Sequence, residues 1–241
     1  MEKIKLSIIV PVYNEELFIA ETLKKITDFL RRKNYGWEVI VVDDGSSDKT
    51  GDVIKGLNFE GVKFDRLPQN QGKGAAIRRG VEIAVGNYII FTDADLSVPI
   101  EFTDKLMDKL QIGSRVVIGS RRTAGAKIIK HQNLLRESMG RVFTFLSKVV
   151  TGAMVSDFTC GFKGFEGRVA KKIFSKSLIN RWVFDSEILF LAKKFKYEIV
   201  EVPVEWVNRE DSRIKSLGGA GYKSFLELMQ IRLNDLVGKY D

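Results

Sequence analysis

The first hundred residues alternate between short β-branched runs and amphipathic segments, and this alternation restricts the fold more than any other feature of the sequence. Buried strands are expected at residues 6–12, 37–42, 62–67 and 88–92. Helices are expected at residues 15–32, 48–56 and 73–85, the first capped by Asn14 and the second by Ser46 or Ser47. Strands joined by helices pair in parallel through right-handed crossovers. The sequence therefore predicts an α/β fold with a mostly parallel central sheet flanked by helices.

Polar and acidic residues follow three of these strands, at residues 11–15, 43–47 and 93–95. Ligands of open parallel sheets gather at the carboxyl ends of the strands. Asp93 and Asp95 are separated by one residue, so both carboxylates fall on one side of an extended segment. A bound Mg²⁺ or Mn²⁺ would relieve their repulsion. The alternative is a solvated turn with a helix cap at Ser97, but the convergence of three strand ends favours the metal site.

The second half of the chain is less regular. We expect a helix at 99–110, a strand at 116–119, a mobile loop at 123–130, a long amphipathic helix at 133–150, an edge strand at 162–165, a helix at 184–195, extended segments at 197–202 and 204–207, and a final amphipathic helix at 223–237. The sequence has no internal repeat and no linker composition. It predicts one domain with a C-terminal extension.

The cysteine and histidine content excludes several kinds of site. The chain has one cysteine, Cys160, and one histidine, His131. This excludes a disulfide framework and argues against a Cys/His zinc site and a Ser-His-Asp hydrolase. Because the sequence shows no signal peptide and no run of 18 apolar residues, we expect a soluble cytoplasmic protein or one attached to a membrane only at its surface.

The net charge of +8 is unevenly distributed along the chain. Residues 1–100 carry 14 Lys/Arg and 15 Asp/Glu, whereas residues 113–181 carry 14 Lys/Arg and only three Asp/Glu. This asymmetry suggests an anionic partner, with a generally basic solvated face as the alternative. A nucleic-acid-binding module is disfavoured, because it would interleave basic residues with exposed aromatics. Most aromatic residues here lie in apolar patterns instead.

The glycine-rich turn at residues 71–74, Gln-Gly-Lys-Gly, precedes the third expected helix. Neither GxxxxGK[ST] nor GxGxxG spacing is present. Such a turn can still receive a phosphate oxygen at the helix N-terminus, helped by Lys73 and Arg78. A tight turn with a solvated Lys73 explains the pattern equally well.

Seven short motifs together resemble one enzyme family. The first four are residues 10–15 (VPVYNE), 41–46 (VVDDGS), 70–74 (NQGKG) and 93–95 (DAD). They occur in the order seen in family-2 inverting glycosyltransferases, which have the GT-A fold and use nucleotide-sugar donors. The later motifs are residues 119–121 (GSR), 157–163 (DFTCGFK) and 181–187 (RWVFDSE). They are similar to the branch that transfers a sugar to a polyprenyl (dolichyl) phosphate, and most resemble dolichyl-phosphate β-glucosyltransferases.

The resemblance implies a role for each half of the chain and for the residues of its motifs. Residues 1–100 would bind the nucleotide, residues 101–215 would bind the acceptor, and residues 216–241 would form a C-terminal amphipathic helix. Substrate binding is implied for Pro11, Tyr13, Glu15, Asp43, Asp44, Lys73 and Asp93. Asp93 and Asp95 would bind the metal, with Asp95 as the direct ligand.

On the acceptor side the resemblance implies three further roles, and the chemistry of the reaction suggests one for Asp157. Arg121 would face the phosphates or the acceptor, and Arg136 would reach the lipid phosphate. Asp157 is a candidate base, although a loop-shaping role is favoured. A loop that closes over the site in relatives corresponds to residues 212–215, where Arg213 and Lys215 match its basic residue equally.

These implications converge on one expected activity. The protein would transfer glucose from UDP-glucose to a polyprenyl or dolichyl phosphate with inversion, using Mg²⁺ or Mn²⁺, while docked peripherally at the cytoplasmic membrane face. The acceptor phosphate has a second pKa near ~6, so it needs nearby positive charge more than a base. The alternatives are a mannosyltransferase using GDP-mannose, a family-2 enzyme acting on a sugar hydroxyl, and a non-catalytic protein that keeps the fold.

Overall fold

The computed structural model describes residues 4–130, 134–207 and 217–241, and it describes only the backbone at residues 130, 134–136 and 217–222. These residues contain nine strands: β1 (Ile4–Val12), β2 (Gly36–Asp43), β3 (Val62–Arg66), β4 (Tyr88–Phe91), β5 (Val116–Ser120), β6 (Lys127–Lys130), β7 (Lys163–Glu166), β8 (Ile199–Pro203) and β9 (Glu205–Val207). The four strands predicted in the first hundred residues are confirmed to within two residues at each end.

Seven strands form one sheet in the order β3-β2-β1-β4-β7-β5-β8. Only β7 runs antiparallel, pairing with β4 on one side and with β5 on the other. The remaining pairs are parallel, which confirms the mostly parallel sheet. Strands β6 and β9 form a second, two-stranded parallel sheet. The first four strands of the large sheet come from residues 1–100 and the other three from later residues, so the two halves of the chain meet between β4 and β7.

In the described part of the chain, eight α-helices lie around the sheet: α1 (Ile19–Leu30), α2 (Thr50–Gly56), α3 (Lys73–Ile83), α4 (Thr103–Gln111), α5 (Leu134–Thr151), α6 (Gly167–Lys176), α7 (Phe184–Lys194) and α8 (Leu217–Leu236). Apolar residues of α1, α2 and α4 pack with one set of buried strand residues. Those of α3, α6, α7 and α8 pack with the other set. A fully buried Leu or Ile contributes about 1.5–3 kcal/mol each, so these two cores supply most of the stabilisation.

Two predictions about the second half were wrong. Residues 162–165 were expected to form an edge strand, but β7 lies inside the sheet between β4 and β5. Its Lys163 makes the sequence look too polar for a central strand, yet this side chain is fully buried with a charged partner. The expected mobile loop at 123–130 contains β6, which pairs with β9. Helix α6 was not predicted at all.

The predicted helix caps were also wrong. Helix α1 begins at Ile19 after Phe18, and Asn14 adopts a left-handed φ of 53° instead. The Asn14 side chain accepts a hydrogen bond from the backbone N–H of Ser47 at 2.7 Å. Helix α2 begins after Lys49, and neither serine caps it. Ser46 instead accepts a hydrogen bond from the backbone N–H of Asn14 at 2.8 Å, so these residues tie two strand-end loops together.

Candidate active site at the strand ends

The predicted convergence of the three polar strand ends is confirmed. Val12, the last residue of β1, pairs with Asp43 at the end of β2. The backbone N–H of Thr92, directly after β4, donates to Ile9 of β1 at 3.0 Å. Asp93 therefore follows the strand that adjoins β1 on its other side. The site lies where the sheet changes from parallel to antiparallel pairing, between β4 and β7.

Asp43 is a fully buried carboxylate, and one of its oxygens accepts no hydrogen bond from the described residues. Its Oδ1 accepts hydrogen bonds from the backbone N–H of Ser46 at 2.8 Å and from the Ser46 hydroxyl at 2.5 Å. Among the described residues, none hydrogen-bonds Asp43 Oδ2, and Arg66 Nε lies 3.4 Å from it. An unsatisfied buried acceptor is costly, and a donor group on a bound ligand would satisfy it. Pro11 is buried in β1 next to this turn, and Tyr13 is 37% exposed.

Asp44 holds the glycine-rich turn in place through hydrogen bonds. Its carboxylate accepts hydrogen bonds from Asn70 Nδ2 at 3.0 Å and from the backbone N–H groups of Gln71 and Gly72, each at 2.8 Å. Burial raises the pKa of Asp44 although these donors act in the opposite direction. Gly72 has a φ of 112°, and a Cβ there would overlap the carbonyl oxygen of Asn180. Asp44 is thus committed to holding the turn.

Lys73 and Asp93 form an ion pair at the start of α3. Burial alone would lower the pKa of Lys73, but the carboxylates of Asp93 and Asp185 outweigh it and raise the pKa. The two side chains are 22% and 37% exposed, so a ligand entering the site can reach both. The sequence left open a phosphate-binding turn and a tight turn with a solvated Lys73. The structure matches neither fully, because Lys73 is partly buried and paired with Asp93.

Asp95 forms the turn that was one of the two alternatives for the Asp-Ala-Asp segment. Its oxygens accept hydrogen bonds from the backbone N–H of Ser97 at 2.8 Å and from the Ser97 hydroxyl at 2.7 Å. Burial, and next the negative charge of Asp93, raise its pKa. The predicted turn at Asp95–Ser97 is therefore present, and the carboxylates of Asp93 and Asp95 also repel each other.

These two carboxylates fit a divalent cation that has substrate phosphate as a further ligand. Within the described part of the chain, no group of three His, Cys, Asp or Glu side chains is arranged to hold a metal. Mg²⁺ commonly uses one or two carboxylates together with waters and substrate phosphates. Burial, and next the charge of Asp93, raise the pKa of Asp95, and such a cation would relieve the repulsion between the two carboxylates. Lys73 places a positive charge beside the same carboxylates in this structure.

On the other side of β4, Asp157 and Arg121 form a buried, two-point ion pair. Arg121 Nε and Nη2 donate to Asp157 at 2.7 and 2.8 Å, and Nη2 also donates to Thr159 Oγ1 at 2.8 Å. Burial would raise the pKa of Asp157, but Arg121 lowers it to about 2. The Arg121 guanidinium also lies over the Trp206 ring at 5.4 Å. A carboxylate so strongly held in its charged form is a poor base, which favours the loop-shaping role.

A buried ion pair and a buried carboxylate behind the site were not predicted as site residues. Lys163 is fully buried and donates to Asp185 Oδ1 at 2.5 Å. Glu187 accepts hydrogen bonds from the backbone N–H groups of Leu178 and Ile179 and from the Tyr240 hydroxyl at 2.6 Å. The one sequence feature that could have indicated them is the presence of charged residues in two largely apolar motifs, residues 157–163 and 181–187. These two motifs are joined in space by the Lys163–Asp185 pair.

Three predicted residues cannot be located in the site. Arg136 lies in α5, but its side chain is outside the described residues. Arg213 and Lys215 also lie outside the described residues. Glu15 is half-buried, and its backbone N–H donates to Thr50 Oγ1 at 2.7 Å. The remaining predicted residues lie at the strand ends and loops described above.

Comparison with known proteins identifies similar sequences. The family described as Glycosyl transferase family 2 has a model that matches residues 7–174. The dolichyl-phosphate beta-glucosyltransferase of Saccharomyces cerevisiae is 33% identical, with 99% of this chain and 77% of the relative covered. The enzyme of that name from Homo sapiens is 31% identical, with 98% and 77% covered. One from Trichomonas vaginalis is 32% identical, with 93% and 70% covered.

Similar solved structures have lower sequence identity. Glucosyl-3-phosphoglycerate synthase from Mycobacterium tuberculosis, solved with Mn²⁺, uridine diphosphate and phosphoglyceric acid, gives a TM-score of 0.71 at 18% identity, covering 94% of this chain and 78% of that chain. TarS from S. aureus, solved with UDP-GlcNAc, gives a TM-score of 0.63 at 21% identity, covering 96% and 67%. At these identities the similarity establishes a shared fold.

Proposed function

The chain belongs to glycosyl transferase family 2, and we propose that it transfers glucose from UDP-glucose to the phosphate of a polyprenyl or dolichyl lipid, with inversion at the anomeric carbon. Its fold is GT-A, as in the solved structures above. The observation that carries the proposal is the pair of carboxylates, Asp93 and Asp95, at the seam between a nearly neutral and a basic half of the chain. The names of the curated relatives support glucose and dolichyl phosphate as substrates.

On the donor side, the nucleoside would lie at the ends of β1 and β2. Asp43 Oδ2 accepts no hydrogen bond from the described residues, so it would accept one from a ribose hydroxyl or a base N–H. Pro11, Tyr13 and Glu15 border the same turn. Solved relatives of the same fold contain uridine diphosphate, which supports UDP as the nucleotide in this proposal.

At the diphosphate, Asp93 and Asp95 would hold Mg²⁺ or Mn²⁺. When bound, the cation would stabilise the negative charge that develops on the leaving diphosphate. Lys73 would contribute a second positive charge, because its ammonium lies beside Asp93. The ammonium would then bind a phosphate oxygen and leave Asp93 to the cation. This exchange of partners keeps every charge in the site paired.

On the acceptor side, the lipid phosphate needs orientation and positive charge. It is largely dianionic at neutral pH because its second pKa is near ~6, so it can attack without a protein base. This agrees with the low pKa of Asp157. Because Arg121 is committed to Asp157, the exposed Arg122 is better placed to meet an anion; its Nη1 donates to Thr144 Oγ1 at 2.7 Å. A single attack from the opposite face would convert an α-linked donor into a β-linked product.

The protein would meet its lipid substrate by docking peripherally, at the cytoplasmic face of a membrane. No helix among the described residues has the length and apolar character needed to cross a bilayer. Helix α5 exposes Val142, Phe145 and Val149 at helical spacing, beside basic residues of the same helix. An amphipathic surface of this kind binds lipid through apolar burial and attraction to anionic headgroups.

A donor panel tests the proposal directly. Purified protein is incubated with a polyprenyl phosphate and Mg²⁺ or Mn²⁺, and with UDP-glucose, GDP-mannose or other nucleotide sugars in turn. We expect transfer to the lipid from UDP-glucose, a β-linked product, and loss of transfer in Asp95→Ala. Absence of lipid-linked sugar with every donor rejects the proposal. Wild-type activity in Asp95→Ala rejects the metal assignment alone, and a product with retained configuration rejects the single displacement.

A further inference from the structure

The side chain of Lys163 is fully buried behind the site, and all of its donors are used. Its ammonium donates to the carbonyl oxygens of Phe158 at 3.0 Å and Cys160 at 2.6 Å, and to Asp185 Oδ1 at 2.5 Å. Three N–H donors thus meet three acceptors. A buried ion pair is commonly no more stabilising than a well-packed apolar pair, so stability alone does not account for this arrangement.

The segment that Lys163 holds forms one wall of the site. Two of its acceptors are backbone carbonyls of residues 158–160, immediately before Gly161. The Cα of Gly161 lies so close to the Asp93 carboxylate that a Cβ on Gly161 would overlap it. At the start of the same segment, Asp157 is bound by Arg121. Residues 157–163 are therefore fixed at both ends by buried ion pairs, with the glycine against Asp93 between them.

Asp185 brings the opposite charge from a different part of the fold. It lies in the first turn of α7, where the positive end of the helix dipole favours a carboxylate. The preceding residue, Phe184, has its ring 5.9 Å from the Lys73 ammonium. Four charges of alternating sign interact in series through this region: Asp93 with Lys73, Lys73 with Asp185, and Asp185 with Lys163. Lys163 is also paired across the sheet with Phe91, which lies two residues before Asp93. The last charge of the series is therefore connected to the first through the backbone.

We propose that Lys163 and Asp185 are positioning residues, which hold the segment 157–161 against Asp93 and thereby set the orientation of the carboxylates that bind the donor's metal. The inference rests on the proposed function, because it concerns the same donor site. Neither residue would touch the substrate. Their effect would pass through Gly161 on one side and through Lys73 on the other.

The test uses a double variant that removes both charges together. Lys163→Met/Asp185→Leu replaces the ion pair by apolar groups of similar size and leaves no buried charge unpaired. The matched control is Lys63→Met/Glu38→Gln, which neutralises another ion pair with a buried carboxylate, 2.7 Å long and distant from the three strand-end loops. For each protein we would measure thermal unfolding, Mn²⁺ binding in the presence of UDP by electron paramagnetic resonance, and kcat and KM for UDP-glucose.

We expect the double variant to fold, to bind Mn²⁺ with UDP at least fivefold more weakly, and to lose at least tenfold in kcat. The control should keep wild-type binding and kcat whatever its change in unfolding temperature. If the double variant does not fold, Asp185→Asn is judged by the same criteria, since it keeps an oxygen acceptor for Lys163 while removing the charge.

The two ways of failing are distinguishable. A folded double variant with wild-type Mn²⁺ binding and kcat overturns the positioning role and leaves the proposed function standing. A wild-type protein that transfers no sugar overturns the proposed function, and the positioning role falls with it.

Discussion

At the scale of single residues, the Asp157–Arg121 pair makes stability depend on pH. The pKa of Asp157 falls from an ordinary 3.8 to about 2, so the folded state binds fewer protons than the unfolded state between these values. The contribution is fully present above about pH 4 and is lost as the pH falls through about 2. A shift of this size corresponds to roughly 2 kcal/mol. We expect the free energy of unfolding to fall by about this amount over that window.

Two variants check this pH dependence, with unfolding followed by urea titration at each pH. Asp157→Asn should be less stable at pH 7 and should show a flatter profile between pH 4 and pH 2. Asp108→Asn, at an exposed position of α4, should keep the wild-type profile. An unchanged slope in Asp157→Asn would show that other carboxylates govern the acid transition.

Gly161 makes a second residue-scale prediction, because its lack of a side chain lets Asp93 take its position. A Cβ there would overlap both carboxylate oxygens of Asp93. We expect Gly161→Ala to displace Asp93 and to reduce kcat with UDP-glucose at least tenfold, with a smaller effect on unfolding temperature. Gly56→Ala is the matched control, since a Cβ at Gly56 meets no atom within 4 Å. Equal activity of the two variants would exclude close packing of Gly161 against Asp93.

The site residues that the strand pattern itself predicted lie directly after a strand, whereas Arg121 and Asp157, which are 36 positions apart, were expected only from the family motifs. Asp93 and Asp95 could be predicted because strand alternation and the residues directly after β4 suffice to place them. Lys163 could not be, because its burial depends on Asp185, a residue 22 positions later on another element. The same holds for Glu187, whose partner Tyr240 is 53 residues away. Local patterns report the direction of a side chain but not the counter-charge that makes its burial possible.

At the scale of elements, the sequence predicted parallel strands better than their antiparallel neighbour. Strands β1, β2 and β4 each contain a continuous apolar run of at least four residues, as expected for strands buried on both faces. Strand β7 has only four residues, including a lysine and a glycine. Its place between β4 and β5 depends on those neighbouring strands and on the buried partner of its lysine. Its own composition is typical of an edge strand, which explains the wrong prediction.

Helix α5 carries the element-scale prediction about membranes. Phe145 and Val149 are 64% and 63% exposed, and inserting one large apolar side chain into lipid contributes about 1.5–3 kcal/mol. We therefore expect Phe145→Asp and Val149→Asp each to weaken binding to vesicles containing anionic phospholipid by about tenfold or more, measured by sedimentation. The folded state should be unaffected because both side chains point outward.

The control for this surface is Ile112→Asp. Ile112 is 77% exposed at the end of α4. The substitution adds the same negative charge at a distant surface and should leave vesicle binding unchanged. Full activity of the wild-type protein on a short water-soluble acceptor, without vesicle binding, would contradict the docking role of α5.

At the scale of the whole molecule, charge and topology divide the sheet at the same place. The strands on one side of the β4–β7 seam come from residues 1–100, which are nearly neutral, and those on the other come from the basic remainder. Asp93 follows β4 and Gly161 precedes β7, so the two halves touch at the carboxylates. In the proposed reaction, two anionic substrates must meet here. A cation between the carboxylates on one side and arginines on the other would allow both to approach.

Because the proposed ligand spans this seam, its binding should stabilise the whole fold. A ligand that binds only the folded state at 100 times its Kd adds about 2.7 kcal/mol to the free energy of unfolding. For a chain of this size, that corresponds to a rise in unfolding temperature of roughly 5–10 °C. We expect Mn²⁺ and UDP together to produce such a rise by differential scanning calorimetry, and either alone to produce a smaller one. In Asp95→Ala the increment due to Mn²⁺ should disappear while any effect of UDP alone remains, since Asp43 and Tyr13 are unchanged. An equal joint rise in Asp95→Ala would mean that the metal is bound elsewhere, and the carboxylate pair would lose its role at the seam.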